Sequence, residues 1–356
     1  LCFNHLKEHR DLIQIQLNPL VNEINLINDQ LMTLNAEIFV RRIDYLRNVI
    51  TQLRSTMSEL ICEQDSTNED IILLTLTICW IKQEIERIIP IEHLDLSTLS
   101  SPFQTIICQY SLGSALASNN QQLLMDQRLN LQLFDQDFIL KKQYQWKNDF
   151  IRDICWSSTL KKFIFITNNK QIYLVNDNLT SIEYLSMIPE QDWSSCTSSD
   201  ISLFLTTNNQ GTHIYEFNLS SIFELIQQWK SPHTCQQHEF IRDMVYNNQT
   251  LALIIEDSFS NMIRLELRSS TNLDLLWIFR SDIQYHLFQP AIRCCSLKYD
   301  EWLVIDSNNS RLFHINNNGQ IKGLHVYKSP PWNAILHDSN TLVIRTENSL
   351  NFHKIY

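Results

Sequence analysis

The 356-residue sequence predicts two unlike parts, an all-α coiled-coil region followed by an all-β six-bladed β-propeller. Three observations carry this expectation. The tetrapeptide FIRD at 150–153 returns at 240–243, and each copy opens a series of four short runs of β-branched, leucine or aromatic residues. Such a four-strand unit, recurring about every 45 residues, has the period of a propeller blade. Before residue 90 the apolar residues instead step by threes and fours, the seam of a coiled coil.

Taken in order, LCFNHLKEHR places Cys2, His5 and His9 in a C-x2-H-x3-H spacing. Thiolate and imidazole so spaced can ligate zinc, and three ligands leave a tetrahedral site incomplete. The remaining ligands would then precede Leu1, and a leucine in first place fits a chain whose natural start lies upstream. The alternative is a polar helix start with incidental histidines. From Leu17 the apolar series runs through Leu20, Ile24, Ile27, Leu31, Leu34 and Ile38. It slips near Phe39 and resumes from Ile43 to Leu60. Ser66-x-x-Glu69 has the form of a capping box, ahead of a second helix from Ile71 to Ile88. A stripe of this kind needs a partner helix, so homodimerisation through residues 11–89 is expected in preference to folding back. Residues 90–102, with Pro90, Pro102 and a run of serines, read as a linker into a propeller over 103–356.

Blades are expected at 112–146, 150–186, 192–229, 240–279 and 291–327. The last segment, 332–356, holds only three strands, and a spare strand at 103–110 would supply its fourth and close the ring. Four glycines are few for so many hairpins. Gly211 and Gly319 fall at turns, and asparagine, which tolerates positive φ, can serve elsewhere.

The net charge of −11 lacks the dense basic footprint of a protein held to phosphate backbones. No run is long and apolar enough to span a bilayer. Nine scattered cysteines, an odd count mostly within strand-like runs, point to reduced, buried thiols and a cytoplasmic protein. The sequons at Asn178, Asn218, Asn248 and Asn308 read as turn chemistry. No phosphate-binding glycine loop, H-E-x-x-H or G-x-S-x-G is present, which argues against an enzyme. His233, Cys235 and His238 form a weak metal candidate, with an ordinary polar loop as the stronger reading. Cys294 and Cys295 are adjacent in a strand and point to opposite faces, so a redox pair is not expected. Asp153, Asp192 and Asp243 at blade starts suggest calcium only with further ligands that are not evident.

Aligning the blade starts brings Arg152, Asp153, Trp193, Arg242, Asp243, Arg293, Trp332 and Asn333 toward one rim of the central channel. Arginine and tryptophan are the residues most enriched at binding hot spots. The competing reading is packing: arginine–aspartate pairs tying adjacent blades and tryptophans filling the gaps between them.

The chain resembles a tripartite-motif protein ending in an NHL-type propeller. Its first ten residues are similar to the last ligands of a B-box zinc finger running into a coiled coil. IDSNNSRLFHINNNGQIK (305–322) is similar to the Asp-x-x-Asn-x-Arg core of NHL repeats, matched by Asp306, Asn309 and Arg311. The resemblance implies a zinc-binding remnant at Cys2, His5 and His9, and an oligomeric adaptor that binds a protein partner. RNA binding by the propeller is the alternative that some NHL-type domains imply. A role in a ubiquitin ligase would require a RING upstream of Leu1.

Overall fold

The computed structural model describes residues 94–96, 99–108, 114–127, 130–147, 149–219, 223–285, 292–338 and 340–355. The expected zinc ligands Cys2, His5 and His9 and the coiled coil over 11–89 lie outside the described residues.

The described residues form six four-stranded antiparallel sheets arranged as a β-propeller. β1 (Gln104–Ile107) belongs to the last sheet. Blade 1 holds β2 (Leu116–Ser118), β3 (Leu123–Asp126), β4 (Asn130–Phe134) and β5 (Leu140–Gln145). Blade 2 holds β6 (Ile151–Ser157), β7 (Lys162–Thr167), β8 (Ile172–Asn176) and β9 (Ile182–Tyr184). Blade 3 holds β10 (Trp193–Ser198), β11 (Ser202–Thr207), β12 (Ile214–Asn218) and β13 (Leu225–Trp229). Blade 4 holds β14 (Glu239–Asn247), β15 (Thr250–Asp257), β16 (Met262–Ser269) and β17 (Leu275–Gln284). Blade 5 holds β18 (Arg293–Ser296), β19 (Trp302–Asp306), β20 (Arg311–Ile315) and β21 (Ile321–Val326). Blade 6 holds β22 (Pro331–Leu336), β23 (Thr341–Thr346) and β24 (Ser349–Lys354), and β1 completes it. Gln104 pairs with Phe352 and Ile107 with Ser349, so the first strand locks the last blade as the strand count required.

The second strand of each blade is an unbroken apolar run because both of its faces are covered. KFIFIT in β7 and SLFLTT in β11 are buried along nearly their whole length, whereas the outermost β5 is largely exposed. Six apolar clusters result, one between each pair of neighbouring blades. Burying apolar surface at about 25 cal/mol per Å² makes these six seams the main source of cohesion. Within the stretch expected as a linker, the described residues Leu94, Leu96 and Leu99 join one seam. Leu94 and Leu96 are buried between blades 5 and 6, and His353 Nδ1 lies 2.8 Å from the Ser100 carbonyl.

The turns between third and fourth strands explain how so few glycines suffice. Phe138, Leu179, Phe223 and Leu273 all have positive φ there, and each buries its side chain in the seam shared with the preceding blade. Burial offsets the strain of a left-handed apolar residue. Blade 5 has Gly319 at the same place, with φ +79°, because Trp277 of blade 4 already fills the gap. A Cβ on Gly319 would lie 2.8 Å from the Trp277 ring. Asn120, Asn248 and Asn261 also take positive φ, as expected of asparagine in tight turns.

Candidate functional site

The inner strands β6, β10, β14 and β22 each carry a bulge near their first residues, at 151–153, 193–195, 241–243 and 331–333. A bulge re-aims the residue that follows it. Here it sends Asp153, Ser195, Asp243 and Asn333 toward the next blade. Asp153 accepts the Cys196 N–H at 2.9 Å and the Ser195 hydroxyl at 2.7 Å. Ser195 in turn accepts the Met244 N–H at 3.2 Å, and Asp243 accepts the Cys294 N–H at 2.8 Å. Asn333 donates to the Ser114 carbonyl at 2.8 Å, across the closing seam.

Arg293 joins this chain of contacts across the axis. One guanidinium nitrogen donates to Asp243 at 2.8 Å and lies 3.3 Å from Asp153; the other donates to the Arg152 carbonyl at 2.8 Å. Blades 2 and 5 face each other in a ring of six, so Arg293 spans the channel like a bar. Burial raises the Asp153 carboxyl above its ordinary value; Arg293 opposes that shift and Asp243 adds to it. Burial alone would lower the Arg293 pKa, but Asp153 and Asp243 outweigh it and hold the guanidinium firmly charged.

The eight candidates therefore divide. Asp153, Asp243 and Arg293, expected on the rim, are buried with one another, and Asn333 is buried as an inter-blade tie. Trp193 is fully buried against Tyr215 in the seam between blades 2 and 3, and Trp332 is 8% exposed. All six side chains are buried, the arrangement that the packing reading describes. Arg152 and Arg242 are half-buried. Arg152 pairs with Asp192 at 2.8 Å and donates to the Trp193 carbonyl at 2.7 Å. Arg242 is ion-paired with Glu256 and sits between the rings of Phe240 and Tyr285, at 4.2 and 4.7 Å. Beside them Phe259 is 81% exposed on a turn held by Asp257, with His238 stacked 4.4 Å away.

Beneath the Arg293 bar the channel encloses about 250 Å³, lined by all six inner strands. His233, Cys235 and His238 do not converge. Cys235 is buried and its thiol donates to the Glu239 carbonyl, while His238 turns to Phe259. No group of three metal-ligating side chains occurs among the described residues. Cys294 and Cys295 are both buried free thiols, and burial pushes Cys295 up to about 12. Asp306, Asn309 and Arg311 do form one unit. The buried Asp306 accepts from the Asn309 amide at 3.0 Å and from Arg311 at 2.8 Å, locking the turn between β19 and β20.

Sequence reasoning missed Ser195, which occupies in blade 3 the place of the aspartates in blades 2 and 4. Its signal was positional: Ser195 follows Trp193 as Asp153 follows Ile151. It also missed Phe240 and Tyr285, which only the packing around Arg242 brings together, and Phe259, which stacks on His238.

No protein-family model matches the chain, and no curated protein matches it. Solved structures do. A chain of the mitotic checkpoint complex superposes with a TM-score of 0.54 at 8% identity, over 74% of this chain and 93% of that one. The Cps50 (Swd1) β-propeller domain of Myceliophteria thermophila superposes with a TM-score of 0.51 at 10% identity, over 72% and 99%. These likenesses show the fold.

Proposed function

We propose that this chain is a non-enzymatic, oligomeric adaptor. It binds a protein partner on the propeller face where the inner strands begin, and the coiled coil over 11–89 sets the oligomer. The observation that carries this reading is the arrangement at Arg242. Its guanidinium is held between Phe240 and Tyr285, and an exposed Phe259 stands on a braced turn of the same blade. Arginine and aromatic residues dominate interface energetics, and side chains ordered before binding lose little freedom on association. One superposable propeller belongs to a multi-protein assembly, the mitotic checkpoint complex, which is the setting this reading expects. Dimerisation would raise apparent affinity for a multivalent partner through effective concentration. The test is affinity capture with the native chain and with an Arg242→Ala/Phe259→Ala variant. Proteins retained by the first and lost with the second support the reading; an identical set with both sinks it.

A second reading is supported by the same residues. A cation flanked by rings is also how bases are stacked in single-stranded RNA recognition. The acidic balance of the chain opposes it. Tight RNA binding that weakens steeply with added salt would establish it over the first.

A further inference from the structure

We propose that Cys155 and Cys196 form a modification site, at which a hydroperoxide entering the central channel makes a reversible disulfide across the seam between blades 2 and 3. This site does not depend on the partner face. Cys155 lies in β6 and Cys196 in β10, the inner strands of those blades. Successive side chains of a strand point to opposite faces. Ile154 accordingly joins the seam between blades 1 and 2, and Cys155 packs into the seam between blades 2 and 3. Cys196 is buried in that same seam, with its Sγ 3.9 Å from the Ile164 carbonyl oxygen. Ile164 stands directly opposite Cys155 in the β6–β7 ladder, and such residues lie about 5 Å apart on one face. The two thiols are therefore aimed at each other from adjacent strands. Contacts between these strands flank the pair on both sides: Asp153 accepts the Cys196 N–H at 2.9 Å, and the Ser198 hydroxyl donates to the Trp156 carbonyl. A disulfide needs such close strands, since it spans only a short gap between its two Cα atoms.

Exposure sets the order of events. Both cysteines line the channel cavity of about 250 Å³, which has room for a water-sized hydroperoxide. Cys155 is half-buried, whereas the other five free thiols among the described residues are buried. Cys155 Sγ attacks the hydroperoxide and the O–O bond breaks. The sulfur keeps one oxygen as a sulfenic acid, and the other oxygen leaves with the thiol proton as an alcohol or, from hydrogen peroxide, as water. Cys196 Sγ then attacks the Cys155 sulfur; the S–O bond breaks, and its oxygen leaves as water with the Cys196 proton. The two thiols have lost two electrons and the hydroperoxide has gained them. Burial, with Cys155 adding to it, holds the Cys196 thiol well above its ordinary pKa, which suits it to the second step rather than the first. Proximity offsets its small thiolate fraction.

The full chain is incubated with hydrogen peroxide, its remaining thiols are blocked in denaturant, and unreduced peptides are mapped by mass spectrometry. The expected product is a cross-linked peptide joining Cys155 to Cys196, absent before treatment and lost on adding dithiothreitol. The same treatment in urea should spread the pairing over the nine cysteines of the chain, so the link reports the folded state. Oxidation should also raise the urea midpoint of the chain, and dithiothreitol should restore it, because the bond closes a loop of about 40 residues in the unfolded state. Cys155→Ser, a change of similar size at a half-buried position, should leave Cys196 reduced under the same peroxide. A folded chain in which Cys155 remains a thiol, ends as a sulfinic acid or pairs with another cysteine overturns the proposal. So does oxidation of Cys196 that persists in Cys155→Ser, or a cross-linked chain whose urea midpoint is unchanged.

Discussion

Near the channel, Asp153, Ser195, Asp243 and Asn333 tie neighbouring blades at four of the six seams by hydrogen bonds to backbone groups. At the circumference, Phe138, Leu179, Phe223 and Leu273 also tie four seams, three of them the same, by burying apolar side chains from left-handed turns. Geometry accounts for the difference. Blades converge at the axis, where a short polar side chain has the neighbouring strand's amides within reach. They diverge outward, where the gap must be filled by volume. Close packing at native density tolerates no void there. Blade 5 shows that volume, rather than residue type, is what the outer position requires: Trp277 supplies it from blade 4, and Gly319 makes room.

Substitutions at the two radii should separate these roles. The largest effect is expected from Arg293→Met, which leaves Asp153 and Asp243 buried without their counter-charge; such losses cost about 3–5 kcal/mol. Urea unfolding would measure it, and a cost below about 1 kcal/mol would show that the axis is not held by ionic contacts. Next is Leu179→Ala, at a residue 1% exposed, with a loss of about 2–4 kcal/mol from the outer seam. If this exceeds the Arg293 effect, the order of the two radii is reversed.

Gly319→Ala should follow at about 1–3 kcal/mol, from the clash with Trp277 and the positive φ together. Trp277→Ala in the same chain should recover the part due to the clash, and a double-mutant cycle isolates it. Simple additivity would separate Gly319 from Trp277 and break the volume argument.

The contact between Ser100 and His353 offers a pH-dependent test. Burial lowers the pKa of His353 below its ordinary 6.5, and its two ring nitrogens lie within hydrogen-bond distance of the Ser100 carbonyl and the Tyr327 hydroxyl. Below the unfolded value of 6.5 the unfolded chain therefore binds the proton more readily than the folded one. Stability should fall as pH drops through 6.5 and level off below the folded pKa. Thermal unfolding between neutral and mildly acid pH should show this slope, reduced in His353→Gln. The smallest effect is expected from Arg152→Ala. Its partner Asp192 is 43% exposed, and exposed pairs contribute about 0–1 kcal/mol. A larger loss would extend the ionic network of the axis out to the surface.

The blade count, strand series and closure by the spare first strand were all legible, because alternating or continuous apolar runs report local burial directly. The same holds for the DxxNxR turn, where Asp306 holds Asn309 and Arg311 within six residues of chain. Among the rim candidates, Arg152 and Arg242 are half-buried, whereas their twin in blade 5, Arg293, is buried.

What the sequence by itself determined is thus the set of short-range choices: which runs are strands, where hairpins turn, and how many blades close the ring. Which charged residues face water was decided only by the tertiary structure. Arg293, Asp153 and Asp243 come from three inner strands far apart in the chain, and Asp153 lies beside Arg152 in the same FIRD segment. Bulges at the starts of β6 and β14 and the narrowing of the ring toward its axis bring the three into one buried cluster. Those are long-range packing events, and a pattern of neighbouring residues holds no record of them.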